Sequence, residues 1–266
     1  LYSPDDGPPF RRLADRDAEV DRHPIHHGGS RRAGCPVDEG ELRQIRATYW
    51  GKITEVDAQL GRLVEHLDAT GHGVDTFVVL TSDHGEQLGD HWLLEKLGWW
   101  DESYHVPLVV VDPRNQADAT RGSVVDAFTE SVDLLPTICD VMGAEVPLAV
   151  DGRSLGPFVH GDGVPPDWRT EVHWQWDFRD PIGHRGEDLL GATMEQCSID
   201  VIRSTHDKYV HLGYGSCLYF DFTDDPDQLH DRAGDPACLG AVADARGRLL
   251  EWRMRHDDRT LTGHLA

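Results

Sequence analysis

The segment Ser82-Asp83-His84-Gly85 sets a carboxylate and an imidazole side by side at the end of an apolar, β-branched run, Thr76 to Thr81. Neighbouring Asp and His side chains can share one divalent cation only where the backbone bends sharply, and a glycine permits that bend. In open α/β sheets, ligands collect at the carboxyl ends of strands, which is where this segment stands. Asp83 and His84 are therefore the candidate metal ligands, and two protein ligands leave a shell that other residues must complete. An imidazole nitrogen suits manganese, zinc or iron better than calcium, which takes oxygen ligands. Lys96 follows on a loop with Trp92, Trp99 and Trp100, and the chain has only two other lysines, Lys52 and Lys208. An ammonium group beside a bound cation is a natural clamp for an anionic oxygen. The competing reading of Asp83-His84-Gly85 is a turn in which the aspartate caps backbone amides.

Other polar and aromatic groups read as structural. Asp90 and His91 follow Gly89 in a turn and shape the loop. His105 precedes a strand of buried type and reads as a satisfied structural histidine. Trp168, Trp174, Trp176 and Phe178 lie in a strand-like segment, where packing is the default. His23, His26 and His27 sit in a solvated loop with no acidic or cysteine ligand at a fixed turn.

These groups must be positioned by regular elements. Residues 1–40 carry Pro4, Pro8, Pro9, Pro24 and Pro36 without apolar periodicity, and read as a loop or linker. From Glu41, Leu42, Ile45, Tyr49, Ile53, Val56, Leu60, Leu63, Val64 and Leu67 mark one face of a long helix, stopped by Gly71 and Gly73. Strands of buried type are predicted at Thr76 to Thr81 and Val106 to Val111, with a third at Ser123 to Phe128. A helix over Leu134 to Met142 ends at Gly143. The order fits an α/β layer with a mostly parallel sheet flanked by helices. Short runs at Ile199 to Ile202, Tyr209 to Leu212 and Leu218 to Asp221, followed by helical spacing over Ala241 to Arg255, predict a small C-terminal antiparallel sheet covered by one helix. The implied division is 1–40 linker, 41–190 main α/β domain, and 191–266 a small α+β subdomain with its tail.

The 266 residues are 39% hydrophobic, enough for a packed core, and no apolar run approaches a membrane span. A net charge of -23 repels nucleic acid and anionic membranes, so neither is expected as a partner. Cys35, Cys139, Cys197, Cys217 and Cys238 are odd in number, scattered and without a C-x-x-C pair, which suits a reducing cytoplasm. The chain opens on Leu1 with no secretory leader in view, so the natural N-terminus is expected upstream.

Several motifs in one order carry a resemblance. Ser82-Asp83-His84-Gly85-Glu86-Gln87-Leu88-Gly89-Asp90-His91, then Lys96, then Asp101-Glu102-Ser103-Tyr104-His105-Val106-Pro107-Leu108, resemble the sulfatase family of the alkaline phosphatase superfamily. So do Arg46 to Asp57, Phe128 to Thr137, Asp151-Gly152-Arg153-Ser154-Leu155, His206 to His211 and Leu218 to Asp221. Within the family, Gly89 to Lys96 and the tail Asp258-Arg259-Thr260-Leu261-Thr262 look most like phosphonate monoester hydrolases. The resemblance implies an alkaline-phosphatase-like α/β fold, present in part, and metal-dependent hydrolysis of small anionic esters: phosphonate monoesters, phosphodiesters or sulfate esters. It implies that Asp83 and His84 bind the metal and that Lys96 contacts the oxygens of the transferred group. Typical calcium sulfatases carry asparagine where His84 stands. The family nucleophile, a formylglycine, arises from cysteine in C-x-P-S-R or C-x-A-x-R, and no cysteine here fits: Cys35 precedes Pro36-Val37-Asp38, Cys139 precedes Asp140-Val141-Met142, and Cys197 precedes Ser198-Ile199-Asp200. Formylglycine is therefore expected in an N-terminal half outside this chain, which should be inactive alone. The rival readings are an arylsulfatase-type sulfuric ester hydrolase and a truncated, non-catalytic fragment. The resembled subgroup associates through C-terminal arms, so a homo-oligomer through residues after Asp257 is expected.

Overall fold

The structure, a computed structural model, describes residues 2–20, 38–96, 98–180 and 182–257. In chain order the elements are α1 (Arg16–Val20), α2 (Glu39–Thr70), β1 (Val78–Thr81), α3 (Asp101–Tyr104), β2 (Leu108–Val111), α4 (Leu134–Met142), α5 (Gly156–His160), β3 (Glu171–Asp177), α6 (Arg185–Leu190), β4 (Ser198–Ser204), β5 (Asp207–Leu212), β6 (Cys217–Asp221) and α7 (Leu239–Arg255).

The long helix starts where Asp38 accepts the Glu41 N–H at 2.8 Å, with Glu39 and Glu41 facing the positive end of the helix dipole. It stops at Gly71, whose φ of 79° lets its N–H reach the Leu67 and Asp68 carbonyls. Only its first turns are covered, by way of Leu42, Arg46 and Ala47. Ile53, Val56, Leu63 and Val64 are more than half exposed, so most of the apolar stripe meets solvent.

Strands β1 and β2 pair antiparallel, in the register Val78↔Val111 to Thr81↔Leu108. Every strand pairing among the described residues is antiparallel, which corrects the expectation of a mostly parallel sheet. The cause is the connection. Residues 82–107 leave the end of β1 and return to that same end, whereas a parallel pair needs a crossover back to the other. Both strands were expected to be buried, yet Leu80, Val109 and Val111 are 37–50% exposed. The third expected strand, Ser123 to Phe128, is irregular: it follows the left-handed Gly122, leaves Val124 85% exposed, and pairs with no strand among the described residues.

The C-terminal sheet, in the order β3-β4-β5-β6, carries a buried hydrophobic cluster on each face. One face presents Ile199, Val201, Val210, Leu212, Leu218 and Phe220 to Leu93, Trp99 and Trp100. The other presents Ile202, Tyr209 and Tyr219 to Val242, Ala245 and Leu249 of α7. β3 lies before residue 190, where the sequence reading puts the subdomain boundary, yet it pairs along its whole length with β4. Among the described residues no helix is long and apolar enough to cross a membrane.

One buried charge ties the sheet to the loop above it. The Lys208 side chain is fully buried and donates to the Trp99 carbonyl at 3.0 Å, to Asp101 and to Gln228. Burial alone would raise the Asp101 carboxyl, but Lys208 and Arg203 hold it below the usual carboxylate range. Removing one partner of such a buried pair costs about 3–5 kcal/mol. Lys208→Ala is therefore expected to lower the unfolding free energy by about that much in urea titrations; an unchanged midpoint would show that the pair is not what anchors this loop.

Candidate active site

The chain leaves β1 through a tight turn that fixes both candidate ligands. The Ser82 hydroxyl donates to the His84 carbonyl at 2.7 Å, and the His84 N–H donates to Asp83 Oδ1 at 3.0 Å. The His84 Nδ1 lies 2.7 Å from the Gly85 carbonyl oxygen. A carbonyl only accepts, so Nδ1 carries the hydrogen and Nε2 of the neutral ring keeps its lone pair. That Nε2 faces Asp83 Oδ2 at 3.7 Å. The Asp83 side chain is 83% exposed and that of His84 35%, so both donors are open to solvent. Asp83, His84 and Lys96 all line one cavity of about 2270 Å³.

Gly85 is required by a close approach. A Cβ there would lie 2.0 Å from the Glu102 carbonyl oxygen. Its N–H donates to the Ser103 carbonyl at 2.9 Å, so α3 braces the turn from behind.

The loop from Glu86 to Lys96 is unusual in its backbone. Leu88, Gly89, His91, Trp92 and Glu95 all have positive φ, between 49° and 92°. For the four that are not glycine, that costs on the order of 1 kcal/mol each. Internal bonds offset part of it: Glu86 Oε1 accepts the Glu95 N–H at 2.5 Å, and the Gly89 N–H reaches the Leu93 carbonyl at 2.8 Å. The N-terminal segment supplies the rest. Arg12 lies between the rings of Phe10 and Trp92, 4.2 and 3.7 Å from their centroids, and donates to the Gly89 carbonyl. Arg46 of α2 donates to the carbonyls of Pro8 and Leu88 and to Asp90. The Trp92 indole N–H reaches the Leu13 carbonyl at 3.0 Å.

Asp90 and His91 shape this loop, as their position after Gly89 suggested. His91 is buried and stacked on Trp100, with Glu19 and Glu102 at its two ring nitrogens. Burial opposes a charge on His91, but the Glu102 carboxylate 3.7 Å away and the hydrogen-bonded Glu19 outweigh it, and the imidazole titrates above its usual range. Burial likewise opposes ionisation of Glu102, and His91 reverses that, holding the carboxyl low.

His105 departs from expectation: it is exposed on the cavity wall, because the strand it precedes is open. Trp168 packs edge-on against Phe158 and donates to the Phe128 carbonyl at 2.8 Å. Trp174 stacks on Tyr104, whose hydroxyl donates to the Gly98 carbonyl at 3.1 Å, and both rings also line the cavity. Sequence reasoning missed Glu19, Glu102 and Tyr104. The only available signal was that Glu102 and Tyr104 fall inside a motif; Glu19, 72 residues from His91, carried none. His23, His26, His27, Cys35 and the tail after Asp257 lie outside the described residues. Among the described residues, no group of three or more His, Cys, Asp and Glu could hold a metal ion.

The sulfatase family model matches residues 9–144, and the model for the C-terminal region of N-sulphoglucosamine sulphohydrolase matches residues 89–255. The multifunctional alkaline phosphatase superfamily protein PehA of Trinickia caryophylli is 43% identical, over 98% of this chain and 53% of its own length. Arylsulfatase K of Xenopus laevis is 31% identical over 80% of this chain and 38% of its own. The crystal structure of the phosphonate monoester hydrolase of Agrobacterium radiobacter superposes with a TM-score of 0.91 at 37% identity, covering 98% of this chain and 54% of that one. This chain thus spans about half the length of PehA and of that hydrolase.

Two outcomes follow from the geometry. Gly85→Ala is expected to destabilise by about 1–3 kcal/mol through overpacking, whereas Gly61→Ala, with nothing within 4 Å of the added Cβ, should stabilise α2; equal melting temperatures would refute the close approach. The raised pKa of His91 stabilises fully below its ordinary value of 6.5, and that contribution is lost as pH rises through the raised value. The lowered pKa of Glu102 works in the other direction, with its contribution lost as pH falls below 4.5. Wild type should therefore lose stability from about pH 6.5 upward relative to His91→Gln, and parallel stability curves would exclude a charged His91.

Proposed function

This chain belongs to the sulfatase family, within the alkaline phosphatase superfamily, and on that premise we propose that the complete protein is a metal-dependent hydrolase of small anionic esters, to which this chain contributes two metal ligands and an anion clamp. The observation that carries the reading is the pairing of His84 Nε2 and Asp83 Oδ2, 3.7 Å apart on the wall of a cavity that Lys96 also lines.

The donor set fits a divalent ion. Two donors each about 2.1 Å from one ion can span that separation. The hydrogen bond from Nδ1 to a backbone carbonyl is the arrangement that orients a metal-binding imidazole and raises its basicity. One nitrogen and one carboxylate favour manganese, zinc or iron over calcium. Such an ion would act as a Lewis acid on the ester and lower the pKa of a nucleophile beside it. Lys96 offsets charge developing on the non-bridging oxygens of the transferred phosphoryl or sulfuryl group.

The nucleophile, read from the family resemblance as formylglycine, is assigned to polypeptide that PehA and its relatives have and this sequence does not contain. Two features support that assignment. The β1–β2 ribbon exposes valine and leucine side chains, and an isolated two-stranded ribbon is marginal by itself. The cavity exceeds the 300–1,000 Å³ or so of a small-ligand pocket, and leaves room for protein as well as substrate. On this account the isolated 266-residue chain is inactive.

Phosphonate monoesters and phosphodiesters rank ahead of sulfate esters, because an imidazole stands at position 84 and because PehA and the Agrobacterium radiobacter hydrolase are more similar than arylsulfatase K. The free thiols of Cys139, Cys197, Cys217 and Cys238 suit a cytoplasmic setting. Homo-oligomerisation through the tail belongs to the same reading.

In the complete protein, Asp83→Ala and His84→Ala are expected to lose the bound metal, and Lys96→Ala to retain it while kcat falls by about 10²–10³. Metal analysis and turnover of a phosphonate monoester, a phosphodiester and an aryl sulfate check this. A clear sulfate preference would reverse the ranking, and turnover by the isolated chain would refute the missing nucleophile.

A further inference from the structure

His91 takes no part in the chemistry above, yet its ring is 1% exposed and stacks on Trp100 with centroids 3.6 Å apart. Its Nδ1 is 2.9 Å from Glu19 Oε1 and its Nε2 is 3.7 Å from Glu102 Oε2. An imidazolium would carry an N–H on each nitrogen, hydrogen-bonded to Glu19 on one side and, across 3.7 Å, attracted to Glu102 as an ion pair on the other. Two nearly buried carboxylates also require a compensating charge. One proton on His91 thus joins three parts of the chain: the N-terminal segment, the Lys96 loop and α3.

From Glu102 the contact continues to the metal-binding turn. The Glu102 carbonyl oxygen lies against Gly85, the Ser103 carbonyl accepts the Gly85 N–H, and the Gly85 carbonyl accepts Nδ1–H of His84. The Ser103 hydroxyl accepts from Gln87 at 2.8 Å, which ties the start of the loop to the same helix. We propose that His91 is a positioning residue: by bridging Glu19 and Glu102 it holds Glu102–Ser103 against Gly85, and so keeps His84 Nε2 turned toward the cation. This rests on the metal-binding reading of Asp83 and His84.

The charged groups around the bridge agree with it. Arg11 donates to Glu102 Oε1 at 3.3 Å, leaving Oε2 to His91. Asp90 is held by Arg46 and by the Arg11 N–H, and the Lys208 charge also favours ionised Glu102.

The test compares His91→Gln and the milder Glu19→Gln with wild type in the complete protein. Leu249→Ala, a core truncation beneath α7, controls for lost stability. Amide exchange at Gly85 is followed without metal, and Mn²⁺ affinity by competition with a fluorescent chelator. Both bridge variants should exchange Gly85 faster and bind Mn²⁺ roughly 10–100-fold more weakly, with Leu249→Ala matching wild type in both. If His91→Gln does not fold, Glu19→Gln decides. Unchanged affinity in the bridge variants, or an equal loss in Leu249→Ala, overturns the positioning role alone, provided Asp83→Ala has lost Mn²⁺. If Asp83→Ala binds Mn²⁺ as wild type does, the metal reading fails and this inference with it.

Discussion

The ammonium of Lys208, buried beneath the C-terminal sheet's contact with the loop, sets the frame for everything else in the site. Desolvating a charge is costly, and the structure offsets it with a carboxylate, a backbone carbonyl and an amide oxygen. Two of those partners, Trp99 and Asp101, belong to the segment that leads into α3. That helix in turn holds Gly85 through the Ser103 carbonyl. A chain of contacts therefore runs from β5 to the turn that carries His84, more than a hundred residues away in sequence. Arg203 of β4 adds a second tie to Asp101 at 3.0 Å.

The loop that ends at Lys96 illustrates the converse problem. Positive φ at Leu88, His91, Trp92 and Glu95 is unfavourable, and such a conformation persists only where surrounding contacts over-determine it. Those contacts come from below, through Leu93, Trp99 and Trp100 on the sheet, and from above, through Phe10, Arg12 and Arg46. Residues 8–13, read from sequence as linker, are thus part of the support of the site. Their proline-rich composition signals the absence of periodic structure, and that is compatible with a segment held in place by aromatic and guanidinium contacts.

What could be read from the residues follows the reach of each signal. Periodicity is local, so the helices over Glu39–Thr70, Leu134–Met142 and Leu239–Arg255 and the strands β4 to β6 were legible. A four-residue apolar run such as Val78–Thr81 does not record the direction of its partner, and the antiparallel pairing with β2 was missed for that reason. Nor does it record what covers it: Val109 and Val111 read as buried because valine usually is, yet they are half open here. Asp83, His84 and Lys96 were singled out from residue type, a glycine and a strand end, and they line one cavity. Glu19 was not, because a carboxylate that meets a histidine 72 residues away looks like any surface acid, and Glu102 showed only its place in a motif.

The charge balance explains why so much of this chain is devoted to support. At a net charge of -23 the protein repels an anionic ester at long range. On the proposed reading, attraction would arise locally, within the screening length of about 8 Å at physiological salt, from Lys96 and from a cation at Asp83 and His84. A local field of that kind depends steeply on distance, so a small displacement of either group sacrifices more binding than it would on a basic protein. Buried ion pairs from one side and stacked guanidinium groups from the other mount the turn and the loop rigidly, which is what the proposed capture of an anionic ester by an acidic protein would require.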